Sequence, residues 1–264
     1  AALDAKLTSP NEIFDLTKPI ALQGYVIDDD EPLGPRTPLP EALAKSSNIM
    51  AATLALRLGA ARQKAMMTRL GLYDRAAIDL PESARPLAPQ DDTPLTVAVL
   101  GYGHGMAMSL AALAEAYTVF ANKGARAPLT MLAKSRGDEI DKIQVFTPAT
   151  TAAVLAMMRG VVTEGTATRA DIAGLDIAGK TGTAEKPDNG VYIHDRMLSS
   201  FAAVFPAYDP HYVILVALDE PARTPASGNL ATGGAVAAPA AGRIAARIAP
   251  LLGVLPAKIG GGGP

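Results

Sequence analysis

The hydrophobic pattern of this chain changes near residue 175, and no other feature constrains its fold as strongly. Before that point apolar residues recur every three or four positions, as across 47–58, which is the spacing of an amphipathic helix. Beyond it come three β-prone runs, at about 176–185, 198–205 and 211–219. Because the connections between these runs are short, antiparallel pairing is favoured. The sequence therefore predicts an α+β fold in which helices flank an antiparallel sheet.

Capping residues and glycines mark the ends of the predicted helices. These helices run from Ser47 to Gly59, from about 60 to Gly71, from Ser109 to Gly124, from Thr147-Pro148 to about 160, and from about 239 to 252. Two of them are predicted to have an apolar face, formed by Leu110, Leu113, Tyr117 and Phe120 in one and by Ile244, Ile248 and Leu251 in the other.

Three segments are predicted to be irregular. Residues 24–40 are acidic and rich in proline, which indicates an exposed loop or a short hairpin, with Asp28 to Glu31 as a solvated charged surface. A Pro-rich loop is predicted at 81–95, and 225–238 consists of small, flexible residues.

No segment has the composition of a linker between domains, so one domain is predicted over 1–256, followed by a flexible Gly-rich tail at 257–264. The uncharged stretch Thr93 to Ala114 is long enough to span a bilayer, but glycines interrupt its middle. It is interpreted as a buried strand or turn followed by a helix.

Composition excludes several functional classes. The 24 basic and 26 acidic residues leave a net charge of −2, which argues against nucleic-acid binding because that needs a clustered positive field. The chain has no cysteine, so thiolate metal sites and a cysteine nucleophile are excluded. The three histidines, His104, His194 and His211, do not have metal-ligand spacing, and we expect neither a metal nor another cofactor.

One motif suggests a nucleotide site but lacks the necessary context. Residues 174–181, GLDIAGKT, match the phosphate-loop pattern at every fixed position. That loop needs a buried strand before it and a helix directly after it. The preceding TRADIA and the following GTAEKPDNG fit neither, so we predict that no nucleotide binds here.

Two polar motifs remain. Lys180-Thr181-Gly182-Thr183 begins a predicted strand, and Ser46-Ser47-Asn48 lies where a loop meets a helix. Either alone is weak, since it could be a polar edge strand or an ordinary helix cap. Together, and in these surroundings, they resemble the transpeptidase domain of class B penicillin-binding proteins, and most of all the division-type penicillin-binding protein 3 group. The segments that carry the resemblance are ALAKSSNIMAATLALRLG, GYGHGMAMSLAALAEAYTVFANKG, GTATRADIAGLDIAGKTGTAEKP, FAAVFPAYDPHYVILVALDEP and GGAVAAPAAGRI.

The resemblance implies a penicillin-binding-protein and serine β-lactamase-like fold, and D,D-transpeptidation through a serine acyl-enzyme. In that chemistry Ser46 would relay a proton to the leaving amine, and Asn48 would bind the substrate amide. Ser47 is interpreted as a helix cap only. His104, in a glycine-rich turn, is a possible further residue of the cleft.

The resemblance also implies roles for the strand motif. Lys180 would place positive charge beside the terminal carboxylate of a D-Ala-D-Ala stem peptide or a β-lactam, close to the Ser46 hydroxyl. Thr181 and Thr183 would donate hydroxyl hydrogen bonds to that carboxylate, and the Thr183 amide would supply half of an oxyanion hole. Gly182 would let an extended substrate lie against the strand.

One departure from the family matters. The family nucleophile is the serine of a Ser-x-x-Lys motif, and no serine of this chain has lysine three positions later. We expect that the chain starts just past that pair, inside the family's central helix, and that this part alone is inactive. The family further implies division-machinery partners and a location on the periplasmic face of the inner membrane, with an anchor upstream.

Two alternatives stay open. A penicillin-fold scaffold or sensor without catalysis would also lack the nucleophile. A serine β-lactamase would need a deacylating base; Glu82 lies in a suitable loop, but its surroundings, PESARPLAP, do not resemble that motif.

Overall fold

A computed structural model describes residues 1–135, 138–188 and 191–254. The chain divides into two compact units, Ala1–Val154 and Leu155–Pro264. The first contains β1 (Ile13–Phe14), β2 (Ile20–Leu22), β3 (Tyr25–Ile27), β4 (Thr37–Pro38), α1 (Leu39–Ala44), α2 (Asn48–Leu58), α3 (Ala60–Arg69), α4 (Pro94–Gly101), α5 (Leu110–Ala121), β5 (Ala125–Arg126) and β6 (Ile143–Gln144); α6 (Pro148–Thr163) crosses the boundary. The second contains β7 (Ala178–Asp188), β8 (Val191–Phe205), β9 (Tyr212–Asp219) and α7 (Ala238–Ile248).

The predicted helix ends are confirmed in the first unit. Ser47 caps α2 and Ser109 caps α5, each accepting a hydrogen bond from a backbone amide of the first turn. Gly59 and Gly71 follow α2 and α3 with φ of 79° and 77°, a conformation that glycine adopts without steric cost. The short β-strands of this unit pair as isolated two-stranded ladders, one of which is the β2–β3 hairpin.

The uncharged stretch from Thr93 is not a strand. Thr93 caps α4, Pro94 occupies its first turn, and the helix runs to Gly101. A Cβ on Gly101 would lie 2.7 Å from the Cβ of Ala55, so α4 and α2 approach closely there. The predicted apolar face of α5 is also partly wrong, because Leu110 is 50% exposed and the buried residues are Ala112, Glu115, Ala116 and Val119.

The antiparallel meander is confirmed in the second unit. Its strands lie in the order β7-β8-β9, with Thr181 opposite Phe201 and Ala203 opposite Ile214. Phe201 and Phe205 of the central strand β8 are fully buried, and they are the largest such side chains among the described residues. β8 begins at Val191, seven residues before the predicted run, because its first residues pair with the end of β7.

The last part of the second unit departs from the sequence prediction. Residues 225–238 contain a 3-10 turn, Pro225–Ser227, and a π-helical turn, Gly233–Ala237, that leads directly into α7. The buried face of α7 consists of alanines and Gly242, while Ile244 is 44% exposed and Leu251, beyond the helix, 83%. The predicted apolar face is therefore wrong, since small residues allow the closer approach. The tail at 257–264 lies outside the described residues.

Candidate functional site

Ser46 lies in a tight turn between α1 and α2, in the first unit. The Ser46 amide donates to the carbonyl of Leu43 at 3.0 Å, and the Ser47 amide donates to the carbonyl of Ala42 at 2.8 Å. This pair of bonds ends a helix with one residue in the left-handed region, a position that usually holds glycine. Ser46 occupies it with φ of 62° and is exposed. The turn therefore presents a hydroxyl where a chain would ordinarily have no side chain.

Ser47 and Asn48 start α2. The Ser47 hydroxyl accepts from the Met50 amide at 3.0 Å, which confirms its role as a cap. It also donates to Asp29 Oδ2 at 2.8 Å, and the Ile49 amide donates to Asp29 Oδ1 at 3.0 Å. The prediction of a solvated surface at 28–31 is thus wrong for Asp29.

Asn48 also contacts the loop that follows β3. Its side-chain amide donates to the Asp28 carbonyl at 3.0 Å, and the residue is half-buried. That bond fixes the orientation of the amide group, so its carbonyl oxygen has a defined direction.

His104 lies in the turn after α4, between Gly103 and Gly105, which both have positive φ. Its amide donates to the Val99 carbonyl at 3.0 Å, and its ring stacks on Tyr102 at a centroid distance of 6.2 Å. Burial raises the pKa of Tyr102 to about 12, so that phenol stays protonated near neutrality.

The strand motif lies near the start of β7, in the second unit. Lys180 and Thr181 therefore lie in a strand that runs to Asp188, so this segment does not have the helix that a phosphate loop needs directly after its lysine. β7 pairs with β8, and no strand of residues 1–135, 138–188 or 191–254 pairs with its other edge. The motif thus stands on an edge strand.

Alternation along β7 divides the motif between the two faces of the sheet. Lys180 pairs with Ala202 and Gly182 with Ser200, whereas Thr181 and Thr183 point the other way. Lys180 is half-buried, and its ammonium donates to the Thr181 carbonyl at 3.1 Å. Desolvation lowers the pKa of Lys180 to about 8, because burial disfavours the charged form.

The two threonine hydroxyls have partners in the same unit. Thr181 Oγ1 lies 2.7 Å from Thr166 Oγ1, and Thr183 Oγ1 accepts from the Gly233 amide at 3.0 Å. A hydroxyl has one donor and two acceptor positions, so Thr183 can accept this bond and still donate its own proton.

Two glycines, one on β7 and one beside it, are closely packed to different degrees. A Cβ on Gly182 would lie 2.6 Å from Ser200 Oγ on the neighbouring strand. A Cβ on Gly233 would overlap the Ser200 carbonyl and lie 2.5 Å from the Gly182 carbonyl. A methyl group at 182 would therefore displace the Ser200 hydroxyl, which can rotate, whereas one at 233 would meet main-chain atoms that cannot.

Sequence reasoning missed Asp29, Thr166 and Gly233, which hold the two motifs in place. For Gly233, the dipeptide Gly233-Gly234 ahead of a helix could have indicated close packing. Asp29 lies in a charged loop and Thr166 in a polar turn, and neither context indicates a specific contact.

Glu82 is exposed in the loop after α3. His211 lies 3.0 Å from Asp209 on the surface, and the His194 side chain lies outside what the structure describes.

The described residues contain neither a metal-binding cluster nor a membrane-spanning helix. No group of three or more histidine, aspartate or glutamate side chains there is arranged to hold a metal ion. No helix in that part of the chain is both long and apolar enough to cross a bilayer.

Comparison with known families gives a match over nearly the whole chain. The description of the matching family is penicillin-binding protein transpeptidase domain, and residues 1–246 are matched.

Curated relatives agree with that family. The chain is 41% identical over 261 residues to the probable peptidoglycan D,D-transpeptidase FtsI of Caulobacter vibrioides, covering 96% of this chain and 44% of that protein. It is 32% identical over 244 residues to the penicillin-binding protein PbpB of Mycolicibacterium smegmatis, covering 84% of this chain and 38% of that protein. The chain therefore spans less than half the length of these relatives.

Solved structures share the fold. The apo transpeptidase domain of penicillin-binding protein 3 from Burkholderia pseudomallei superposes with a TM-score of 0.88 at 30% identity, covering 97% of this chain and 76% of that one. Penicillin-binding protein 3 of Mycobacterium tuberculosis, complexed with ampicillin, superposes with a TM-score of 0.87 at 29% identity, covering 99% of this chain and 62% of that one.

Proposed function

The chain belongs to the penicillin-binding protein transpeptidase family, in its FtsI and penicillin-binding protein 3 branch, and from that premise we propose that it serves peptidoglycan D,D-transpeptidation. The observation that carries this proposal is Lys180: a half-buried ammonium, with a pKa lowered to about 8, at the start of an edge strand. An edge strand can pair with an extended peptide, and a partly desolvated cation attracts its terminal carboxylate.

In the proposed reaction a serine attacks the carbonyl of the penultimate D-Ala of a stem peptide. The peptide bond to the last D-Ala breaks, D-Ala leaves as an amine, and the stem peptide stays as an ester on the serine. The amine of a second stem peptide then attacks that ester, which forms the cross-link and releases the serine. Because no serine here precedes a lysine by three positions, the nucleophile is proposed to lie outside these 264 residues.

The residues of the first unit would handle the proton and the substrate amide. Ser46 is proposed to pass a proton to the departing D-Ala amine, a role that its exposed hydroxyl supports. Asn48 is proposed to bind the substrate amide through the side-chain carbonyl whose direction the bond to Asp28 sets. His104 would line the approach to this turn.

The residues of β7 would bind the carboxylate and the oxyanion. Lys180 would supply the positive charge, and Thr181 and Thr183 would supply hydroxyl donors. Thr183 accepts its hydrogen bond from the Gly233 amide, so its hydroxyl proton can be donated to the substrate. The Thr183 amide would be one donor of the oxyanion hole. β-Lactams would acylate the same serine, as carboxylate-bearing analogues of D-Ala-D-Ala.

We further propose a role in cell division at the periplasmic face of the inner membrane, together with other division proteins, as the resemblance to division-type penicillin-binding proteins implies. A non-catalytic scaffold or sensor is the alternative, and a test of acylation separates the two.

The test is covalent labelling with a fluorescent penicillin, read on a denaturing gel. Two proteins are compared: residues 1–264, and the same chain extended upstream through the nearest Ser-x-x-Lys. We expect the longer protein to label and the shorter one to stay dark. Labelling of residues 1–264 would place the nucleophile within them, with Ser46 and Ser47 the first to replace. A longer protein that carries the motif and does not label would favour the scaffold.

A further inference from the structure

The loop after β3 is held in place by apolar packing. Ile27, the last residue of β3, is 2% exposed and packs with Ala52 of α2 and Ala98 of α4. The next two residues, Asp28 and Asp29, are thereby brought to the first turn of α2. Their position is set by the hairpin and the helix together.

Three consecutive residues at the start of α2 each donate a hydrogen bond to this loop. The Ser47 hydroxyl and the Ile49 amide bind the two carboxylate oxygens of Asp29 at 2.8 and 3.0 Å. Between them, the Asn48 side chain binds the Asp28 carbonyl at 3.0 Å. A carboxylate at a helix N-terminus is favoured by the helix dipole as well.

We propose that Asp29 is a positioning residue for the acylation reaction: through Ser47 and the Ile49 amide, its carboxylate fixes the turn from which Ser46 and Asn48 act. This rests on the proposed function. Ser46 holds a left-handed conformation, which a residue with a side chain keeps only where its surroundings impose it. The loop after β3 contacts each of the next three residues and so imposes it.

The carboxylate is needed because two donors point at it. Ser47 already accepts from the Met50 amide, so its own proton must go to a second acceptor. An asparagine at 29 has a single acceptor oxygen. If that oxygen accepts from the Ile49 amide, the NH2 group faces Ser47 and cannot accept the proton of its hydroxyl. The turn would then lose one of its bonds while the apolar packing of Ile27 stayed intact.

The experiment measures penicillin acylation of the upstream-extended protein with Asp29→Asn, and with Asp30→Asn as the matched control. Asp30 is an exposed carboxylate in the same loop. The labelled fraction at long times counts folded molecules, whereas the rate constant at saturating penicillin reports the geometry around the reacting groups. We expect Asp29→Asn to lower that rate constant by about ten- to a hundredfold with an unchanged labelled fraction. Asp29→Glu should recover part of the rate, since it restores two acceptors.

Three results would overturn the proposal: an Asp29→Asn rate equal to that of Asp30→Asn, a loss confined to the labelled fraction, or no recovery with Asp29→Glu. In parallel, hydrogen exchange of the Ile49 amide is measured in residues 1–264, with and without Asp29→Asn. This measurement does not depend on penicillin acylation. If the extended wild-type protein fails to label, the proposed function fails and with it any role of Asp29 in acylation. Faster Ile49 exchange in Asp29→Asn would then still show that Asp29 holds the turn, and unchanged exchange would overturn that as well.

Discussion

The turn at Ser46–Asn48 and the strand segment Lys180–Thr183 are held in place in different ways. The turn joins two helices through a left-handed serine, and a side chain from a distant loop, Asp29, binds it. The strand segment is fixed by main-chain pairing with β8 and by the close approach of Gly233.

The difference shows which parts of each motif tolerate change. In the turn, removing one hydroxyl or carboxylate breaks a specific bond and leaves the fold. In the strand, main-chain atoms of β7 and β8 leave no room for a side chain at Gly233, and burial lowers the pKa of Lys180. The stability of the turn should thus respond to loss of polar groups, and the stability of the strand segment to gain of volume.

The largest expected effect is on the charge of the strand segment. Lys180→Ala in the upstream-extended protein should lower the penicillin acylation rate constant by about a thousandfold, since it removes a preorganised charge from a partly desolvated position. Lys186→Ala is the matched control: this lysine lies on the same strand and forms exposed ion pairs with Asp219 and Glu220. Equal losses for the two variants would show that Lys180 has no special role.

The next effect concerns volume. Gly233→Ala should destabilise residues 1–264 by about 3 kcal/mol, because the new Cβ meets main-chain atoms of β7 and β8 that cannot rotate away. Gly34→Ala is the control, as a Cβ there meets nothing within 4 Å. Urea unfolding followed by circular dichroism measures both. A loss under about 0.5 kcal/mol for Gly233→Ala would contradict the close packing.

The cap of α2 can be compared with that of α5. Ser109→Ala removes one bond, from the Ala112 amide, and should cost about 1 kcal/mol. Ser47→Ala removes a similar bond and also the one to Asp29, and should cost about 2 kcal/mol. The same urea titrations measure the difference, and equal costs would mean that the Asp29 contact contributes nothing to stability.

Lys180 should also make stability depend on pH. Its pKa is lowered from 10.5 to about 8 in the folded chain, so between these values the unfolded chain binds more protons. The free energy of unfolding from this group therefore rises with pH over that window, by at most about 1.4 kcal/mol per pH unit. Urea titrations at pH 7 to 10 should show a steeper rise for the wild type than for Lys180→Met; parallel curves would refute the lowered pKa.

The smallest effect tests the left-handed turn. Ser46→Gly should stabilise the chain by about 1 kcal/mol, since glycine adopts this conformation without the steric cost that serine has. The same change in the extended protein should slow acylation, because the proposed proton relay is lost. A variant that is more stable and equally fast would leave Ser46 without a catalytic role.

Much of the fold was predictable from local pattern. Helix starts were predicted correctly at Ser47, Ser109 and Thr147-Pro148, and the run of extended segments after 175 predicted the meander. The errors occurred where the hydrophobicity of a residue does not indicate whether it is buried or which element it belongs to. In α7 the small residues are buried and Ile244 is exposed, and in the 93–114 stretch a helix stands where a strand was an option.

The motif residues of the candidate site were predictable from the sequence, but the residues that hold them in place were not. Ser46, Asn48, Lys180, Thr181, Gly182 and Thr183 were named from two short motifs and a family resemblance, while their catalytic roles remain predictions. Asp29 was assigned to the solvent, because a charged loop gives no local sign of where its carboxylates point.

The sequence by itself determined several helix starts and the three long strands, since caps and hydrophobic period act over a few residues, and its motifs indicated the family. Only the tertiary structure decided that Asp29 binds the start of α2, that Gly233 packs on β7, and that Lys180 is desolvated. These contacts join residues 18 to 51 positions apart, and burial is a property of all the atoms around a group, so no local pattern encodes them.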